Sequence, residues 1–225
     1  MKKFLFILLI FRVALPNVFC QHSDESETAK KMHKAGLVNI KAIDKTIVVD
    51  LKYATTDNFT GKNMYGDFRE AYLQPEVAGM LANAQKKLKE KHKEWSIVIY
   101  DATRPRSVQR KMWEVVKNSD WKNYVTNPSR TSMHSYGVAV DVSIVDEYGN
   151  AIDMGAGFDE FTEKSQPRHE QKFLNEKKLT QQQINNRLIL RNAMKSAGFR
   201  SIQNEWWHFE AMTREQAKQK YKPVD

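Results

Sequence analysis

A strict alternation of apolar and polar positions is the clearest pattern in the chain. In the segment GVAVDVSIV, residues 137–145, three valines fall on one face, and Ala139, Asp141 and Ser143 fall on the other. A period of two residues is typical of a half-buried β-strand. The pattern therefore predicts a strand whose Asp141 carboxylate points away from the valine core.

Other apolar patterns predict interleaved strands and helices. Runs rich in β-branched and aromatic residues predict strands, and apolar residues with a period of 3.6 predict helices. The helix after Thr180 has a residue suited to its N-cap and ends before Gly198, a common stop signal. The predicted strands cover residues 48–54, 95–102 and 205–211, and the predicted helices cover residues 75–92, 107–118 and 181–197, with a short terminal helix from Thr213.

A turn decides between two fold classes. The segment DEYGN, residues 146–150, leads from the strand at 137–145 into the segment AIDM. A hairpin-like turn of this kind joins antiparallel strands, which favours an α+β fold over a doubly wound parallel sheet. The sequence has no internal repeat. We predict a single domain, residues 37–225, with a central, mostly antiparallel sheet flanked by helices.

The start of the chain differs in character from the rest. Residues 1–20 have two lysines, then an apolar run, then Cys20, as in a secretory signal peptide. Arg12 interrupts the run, so we predict no lasting membrane span in the mature chain. Residues 21–36 are polar and lack periodicity, which predicts a flexible linker. We expect an exported, periplasmic protein, and the bulky Phe19 disfavours a lipid anchor on Cys20.

Composition supports a packed core and argues against two classes of function. The chain has 225 residues, of which 41% are hydrophobic. The net charge of +9 permits contact with nucleic acid, but the lysines lie among acids in segments such as QKKLKEKHKE. That mixture is typical of a solvated helix face, so we expect no nucleic-acid partner. The single cysteine lies in the leader, which excludes an internal disulfide and a cysteine nucleophile in the mature chain.

Two histidines stand near acidic residues. His134 precedes the strand that carries Asp141, and His208 follows Glu205 by three residues in NEWWHFE. A hydrolytic zinc site commonly has three imidazole or carboxylate ligands and a position for water. A carboxylate that is not a ligand can then serve as the base. Each signal alone is weak, because a single histidine or a polar-face aspartate is more often structural than metal-binding.

Five separated segments make the combination more specific than its parts. They are DLKYATTDNF, YDATRPRS, SMHSYGVAVD, MGAGFDEF and NEWWHFE, and they fall, in this order, within about residues 45–212. Together they resemble the zinc D-alanyl-D-alanine dipeptidases, the group that includes the enzymes of vancomycin resistance. The resemblance implies the fold of that family and zinc-dependent hydrolysis of a small dipeptide.

The resemblance also implies roles for the positions that match the family motifs. His134, Asp141 and His208 would hold one zinc ion per chain, and Glu205 would be the general base. Arg104 would polarise the scissile carbonyl and stabilise the oxyanion, since a fixed guanidinium aimed at developing negative charge accelerates a reaction.

Three further positions match residues of the family that contact substrate. Ser132 matches a substrate-contacting serine, Asp159 an acid that receives the ammonium group of the dipeptide, and Tyr53 a residue that lines the pocket. Each also has a structural alternative: Ser132 could cap a turn, and Asp159 could be an ordinary loop carboxylate.

Two positions depart from the family pattern. Thr103 stands where the family commonly has a tyrosine, and Tyr136 replaces an arginine of the vancomycin-resistance enzymes. We expect the metal chemistry to survive both changes and the substrate preference to be affected. Strand alternation places Glu210 on the same side as His208, where it could orient an imidazole.

These observations lead to one main hypothesis and two alternatives. The main hypothesis is an exported monozinc dipeptidase whose partner is a small dipeptide, D-Ala-D-Ala or a close relative. The alternatives are a zinc D,D-carboxypeptidase that trims longer peptidoglycan stems, and a non-catalytic module that binds cell-wall peptides. A dipeptidase should ignore an amine-blocked substrate. A binding module has no need of a general base, so Glu205 and Arg104 together argue against it.

Overall fold

A five-stranded sheet forms the centre of the protein. The structure is a computed structural model that describes residues 26–225. The leader, Cys20 and the first part of the expected linker lie outside the described residues. The strands of the chain are β1 Val38–Asn39, β2 Val48–Val49, β3 Tyr72–Leu73, β4 Ser96–Asp101, β5 Ala139–Val145, β6 Arg200–Ser201 and β7 His208–Glu210. The helices are α1 Glu27–Lys34, α2 Ile40–Ile43, α3 Pro75–Lys91, α4 Arg106–Val116, α5 Glu170–Asn175, α6 Gln181–Ser196 and α7 Arg214–Lys220.

The order of the strands confirms the predicted fold class. The central sheet has the order β2-β4-β5-β7-β6, and only the β2-β4 pair is parallel. A separate antiparallel pair joins β1 to β3. The turn after β5 is also confirmed, since the amide of Asp146 donates to the carbonyl of Asn150 and the amide of Ile152 donates to that of Ile144. The protein is therefore an α+β domain with a mostly antiparallel sheet.

Strand β5 lies deeper than its alternating pattern predicts. All seven of its residues are buried, including the polar ones. The valine face packs in the main core, while Phe158 covers part of the opposite face, with its ring centroid 5.2 Å from that of Tyr100 and 5.5 Å from that of Trp207. The prediction of a half-buried strand is wrong because a loop closes over the polar face, and that cover places Asp141 in a sheltered environment.

The two long helices cover the sheet much as their periodicity predicts. Helix α3 buries Leu81 and Leu88, and its Gln85 accepts a hydrogen bond of 2.7 Å from the backbone of Ile97 in β4. Helix α6 begins at a reciprocal capping box between Thr180 and Gln183. Gly198 follows its end with a φ of +97°, a conformation that glycine adopts easily. Both predicted ends of α6 are confirmed.

Two predicted strands are shorter than their apolar runs. Of residues 48–54, only Val48–Val49 pair as a strand, and Lys52–Ala54 form a 3₁₀ turn. Of residues 205–211, only His208–Glu210 pair. In each case the chain must leave the sheet so that a side chain, Tyr53 or Glu205, can reach the cavity described below.

Part of the expected linker belongs to the folded domain. Residues 27–34 form α1, whose Ser26 cap accepts a hydrogen bond of 3.1 Å from the amide of Ala29. Ala29 and Met32 are fully buried in the main core. The prediction of a linker up to residue 36 is therefore wrong over its described part, because two apolar residues three positions apart suffice to attach a single helical face.

Replacing Met32 by alanine tests that attachment. The side chain is 0% exposed, so the substitution leaves a cavity and should lower the free energy of unfolding by about 2–5 kcal/mol. Urea denaturation of the mature chain measures the change. The exposed neighbour Lys31, changed to alanine, should shift the unfolding free energy by less than about 0.5 kcal/mol. Equal stability of the two variants would show that α1 is not part of the cooperative fold.

Across residues 26–225, we find no helix with the length and apolar character that a membrane crossing requires.

Candidate functional site

Two histidines and an aspartate meet on the central sheet. Asp141 of β5 and His208 of β7 are directly opposite each other in the antiparallel pair, and His208 Nδ1 lies 2.9 Å from Asp141 Oδ1. His134 Nε2 lies 3.4 Å from Asp141 Oδ2 and 3.2 Å from His208 Nδ1. One ligand atom from each residue lies within 4.8 Å of the others. The structure thus brings the three predicted ligands together in an arrangement that could hold a metal ion.

The turn before β5 aims His134 at this cluster. Residues His134–Tyr136 form a 3₁₀ turn that ends at Gly137, whose φ is +72°. A Cβ at that position would lie 2.5 Å from Leu37 Cδ2 and 3.0 Å from Thr103 Oγ1. Only glycine combines the left-handed conformation with so close an approach of the neighbouring residues. The small residue after SMHSY is therefore required for the entry into β5.

Contacts outside the cluster orient both imidazoles. His134 Nδ1 lies 2.8 Å from the carbonyl oxygen of Ala102, which can only accept, so Nδ1 carries the proton and Nε2 presents its lone pair. His208 Nε2 faces Glu210 Oε1 at 3.6 Å, and its Nδ1 faces the cluster. An imidazole held in this way through its other nitrogen is typical of metal ligands. The position expected for Glu210 is confirmed.

The charges of the cluster favour a cation at its centre. Burial opposes ionisation of Asp141, but the charges and hydrogen bonds of His134 and His208 hold its pKa well below its usual range. Burial likewise opposes the charged form of His208, yet its bonds to Asp141 and Glu210 raise its pKa to about 10. The cluster therefore attracts positive charge, and a metal ion and a proton compete for it.

Glu205 faces the same cavity without being one of the three clustered residues. Loss of hydration raises its pKa to about 7, an effect that the charge of His208 opposes. A carboxyl group that titrates near neutral pH can both accept and return a proton. This property suits Glu205 to general acid–base chemistry.

Arg104 is held rigidly beside the cluster. Its Nε and Nη2 donate to Asp101 Oδ2 over 2.8 and 2.5 Å, and its Nη1 donates to Gln109 Oε1 over 2.9 Å. Its Nη2 lies 3.7 Å from Asp141 Oδ2, and its guanidinium carbon lies 5.0 Å from the centre of the Tyr53 ring. Asp101 is fully buried, so the pair fixes the position of the guanidinium.

Replacing Asp101 by asparagine should expose the importance of this anchor. The change leaves the buried Arg104 cation without its main counter-charge, so we expect the free energy of unfolding to fall by about 3–5 kcal/mol. Urea denaturation measures the change. Asp225→Asn is the matched control, because it breaks the exposed pair of Asp225 with Arg110 and should cost less than about 1 kcal/mol. Similar losses for the two variants would contradict the anchoring role.

Asp159 is a half-buried carboxylate whose hydrogen-bond partners are neutral. It adopts a φ of +60°, accepts a 3.0 Å hydrogen bond from the Tyr53 hydroxyl and accepts a 3.3 Å bond from the amide of Phe59. Burial, reinforced by the charge of Asp141, raises its pKa well above its usual range. In the described part of the chain no cation forms an ion pair with it. The site therefore has a place suited to a positively charged group.

A single cavity of about 360 Å³ connects these groups. All eight residues predicted for the site line it, namely Tyr53, Arg104, Ser132, His134, Asp141, Asp159, Glu205 and His208. Ser132 is buried at its wall. Thr103 and Tyr136, the two positions that depart from the family pattern, do not line the cavity. Thr103 donates a 2.5 Å hydrogen bond to the Tyr72 carbonyl, and Tyr136 is buried in the core.

Several residues of the site were not predicted. Asp101, which anchors Arg104, also accepts a 2.5 Å hydrogen bond from the Tyr65 hydroxyl. Its position three residues before Arg104 in YDATRPRS is the sequence signal that could have identified it. Arg214 and the aromatic ring of Phe161 line the cavity without any motif that marks them.

Comparisons with known proteins agree with this geometry. Residues 33–224 match the model of a family described as D-ala-D-ala dipeptidase. The D-alanyl-D-alanine dipeptidase of Escherichia coli K12 is 36% identical over 174 residues, covering 77% of this chain and 83% of that protein. The enzyme of the same name from Enterococcus faecium is 31% identical over 180 residues, covering 71% of this chain and 83% of the relative. That from Synechocystis is 29% identical over 167 residues, covering 61% and 68%.

Proposed function

Because the chain belongs to the D-Ala-D-Ala dipeptidase family, we propose that it uses one zinc ion to hydrolyse D-Ala-D-Ala or a similar small cell-wall dipeptide. The observation that carries this proposal is the convergence of His134, Asp141 and His208 with Glu205 and Arg104 on one cavity.

The three clustered residues have the chemistry that zinc requires. Two imidazole nitrogens and a carboxylate oxygen are common protein ligands of catalytic zinc, and the outward contacts of the histidines with the Ala102 carbonyl and with Glu210 support that role. When bound by His134, Asp141 and His208, zinc would polarise a substrate carbonyl and acidify a water molecule. The remaining chemistry falls to side chains of the protein.

Glu205 moves the proton in the proposed reaction. With a pKa raised to about 7, its carboxylate accepts a proton from the attacking water at neutral pH. The same carboxyl group then donates that proton to the nitrogen of the leaving amine, so that the base is regenerated. The reaction needs no covalent bond between substrate and protein.

Arg104 stabilises the negative charge that develops on the carbonyl oxygen of the scissile bond. Its guanidinium is already fixed by Asp101 and Gln109 before substrate binds. Donors that are oriented in advance need little reorganisation as the charge develops, and they act strongly in a site shielded from water. The rigid anchor of Arg104 therefore contributes to the rate.

Asp159 favours a free dipeptide over a longer substrate. Its half-buried carboxylate accepts hydrogen bonds from Tyr53 and Phe59, and the ammonium group of a dipeptide supplies the cation that it lacks. A peptide whose amine is acylated leaves this carboxylate without a counter-charge, which weakens its binding. This observation favours a dipeptidase over a D,D-carboxypeptidase that acts on longer stems.

An assay of the purified mature chain tests the proposal. Zinc content is measured alongside the release of D-alanine from free D-Ala-D-Ala and from the N-acetylated dipeptide, before and after treatment with a chelator. We expect turnover of the free dipeptide alone, loss with the chelator and recovery with zinc. Efficient turnover of the acetylated substrate would favour the carboxypeptidase, and zinc binding without release of alanine would favour a binding module.

The pH dependence of dipeptide binding offers a test of Asp159. Its pKa is raised in the free protein, and a bound ammonium group favours the ionised carboxylate, so affinity should increase as the pH rises through that pKa. It should decline again as the substrate amine loses its proton near pH 8. Calorimetric titration with a Glu205→Gln protein avoids turnover. Adding Asp159→Asn to the Glu205→Gln protein should weaken dipeptide binding and remove the increase of affinity with pH. If that increase stayed unchanged, it would belong to another titrating group.

The leader-like residues 1–20 support the further proposal that the chain is exported to the periplasm. Cell fractionation, with mass spectrometry of the mature N-terminus, tests it. A full-length chain that stays in the cytoplasm would contradict it.

A further inference from the structure

Besides Glu205, the proposed base, two partly buried charges of opposite sign face the catalytic cavity without an ion-pair partner among residues 26–225. One is the Asp159 carboxylate, and the other is the Arg214 guanidinium. Arg104, which also lines the cavity, is neutralised by Asp101. A zwitterionic ligand carries one charge for each of the two unpaired groups, so the pair points to a ligand with both a cationic and an anionic end.

Arg214 is partly buried and is held by a single described hydrogen bond. Its Nη1 donates to the carbonyl oxygen of Thr131, the residue before Ser132 in the cavity wall. That bond fixes the side chain while Nε and Nη2 stay available as donors. A guanidinium presents paired donors in a planar fork, and the fork matches the two oxygens of a carboxylate.

Arg214 and Asp159 lie on different sides of the histidine–aspartate cluster. Asp159 contacts Tyr53, whose ring lies under Arg104 on the side of β4. Arg214 begins α7, just beyond the end of β7, and β4 and β7 lie on opposite sides of β5, the strand that carries Asp141. A dipeptide that extends between the two groups therefore places its peptide bond near the cluster.

We propose that Arg214 binds the C-terminal carboxylate of the dipeptide and thereby sets the specificity of the site for free dipeptides. This inference rests on the proposed function, and it identifies the cationic end of a site whose anionic end is Asp159. Two other cations line the cavity, Lys122 and Arg130, but both are exposed to solvent. Water screens an exposed charge, so neither offers comparable selectivity.

The test compares two ligands that differ only at their C-terminus, D-Ala-D-Ala and D-alanyl-D-alaninamide. Their binding to the zinc-loaded Glu205→Gln protein is measured by calorimetric titration. Adding Arg214→Gln should raise the Kd of the free acid about 10- to 100-fold, because a charged hydrogen-bonded contact is lost. The Kd of the amide should change less than about twofold. Arg214→Lys should retain part of the preference for the acid, because it keeps the charge.

Arg130→Gln is the matched control, since it removes an equal charge from the same cavity. It should leave the ratio of the two Kd values within about twofold of the parent protein, because its charge is exposed. If Arg214→Gln weakened the acid and the amide equally, its role would be to support the loop at Thr131, and the proposal would be overturned. The proposal would also be overturned if Arg130→Gln raised the Kd of the free acid as much as Arg214→Gln does.

The steady-state behaviour of the active protein separates this inference from the proposed function. Arg214→Gln in the otherwise natural sequence should raise KM for the free dipeptide much more than it lowers kcat, with zinc content unchanged. If the natural chain failed to hydrolyse any dipeptide, the proposed function would fail, whereas the two Kd ratios would still decide the role of Arg214.

Discussion

Replacing Glu205 by glutamine is expected to lower kcat by about 10²- to 10⁴-fold, the usual contribution of a positioned general base. Glutamine keeps the size and polarity of the side chain but cannot accept a proton from water. Because the ligand atoms of the cluster come from three other residues, zinc content should stay the same. Initial rates with D-Ala-D-Ala, together with metal analysis, measure both quantities.

Glu215→Gln is a suitable control for this substitution, because Glu215 is exposed on α7 and lies outside the cavity lining. Its kcat should match that of the natural chain. A Glu205→Gln protein with full zinc content and full turnover would show that another group serves as the base. Partial loss of zinc with a proportional loss of rate would instead assign Glu205 a role in metal binding.

Replacing His134 by alanine is expected to remove both metal binding and activity. The substitution deletes one of three ligand atoms that converge within 4.8 Å. If a zinc-binding free energy of roughly 12 kcal/mol is shared equally among them, the loss is about 4 kcal/mol, or about a thousandfold in affinity. Equilibrium titration with zinc in the presence of a competing chelator measures the change.

His92→Ala provides the comparison, because His92 stacks on Trp95 with ring centroids 4.3 Å apart and does not line the catalytic cavity. It should bind zinc as the natural chain does. Unchanged zinc affinity in His134→Ala would refute the three-ligand site, whatever the effect on turnover.

The sequence predicted correctly those elements whose end signals lie within their own segments. The periodicity of α6 and its Thr180 cap lie within the segment itself, so both ends follow from the sequence. The ends of β7 depend instead on which residues find partners in β5 and β6, and an apolar run such as EWWHFEA does not contain that information. Helix α1 escaped detection because Ala29 and Met32 are its only buried residues.

The same distinction between local and tertiary information applies to the residues of the site. The motifs around His134, Asp141 and His208 predicted that these three residues cluster, because the family resemblance supplied their relationship across distant segments. Asp101 and Arg214 act through contacts with Tyr65, Arg104 and Thr131, and these contacts arise from folding rather than from a motif. Asp101 lies in the segment YDATRPRS, which could have marked it, but the contacts of both residues became evident only in the three-dimensional arrangement.

The pairing of Asp141 with His208 across β5 and β7 also bears on how the protein is made. A ribosome synthesises the chain from its N-terminus, so the first two clustered residues emerge well before the third. A nascent or prematurely terminated chain that stops before β7 lacks one of the three residues. Hydrolytic capacity is therefore confined to molecules whose synthesis has reached the last strand, and fragments released by failed translation are inert.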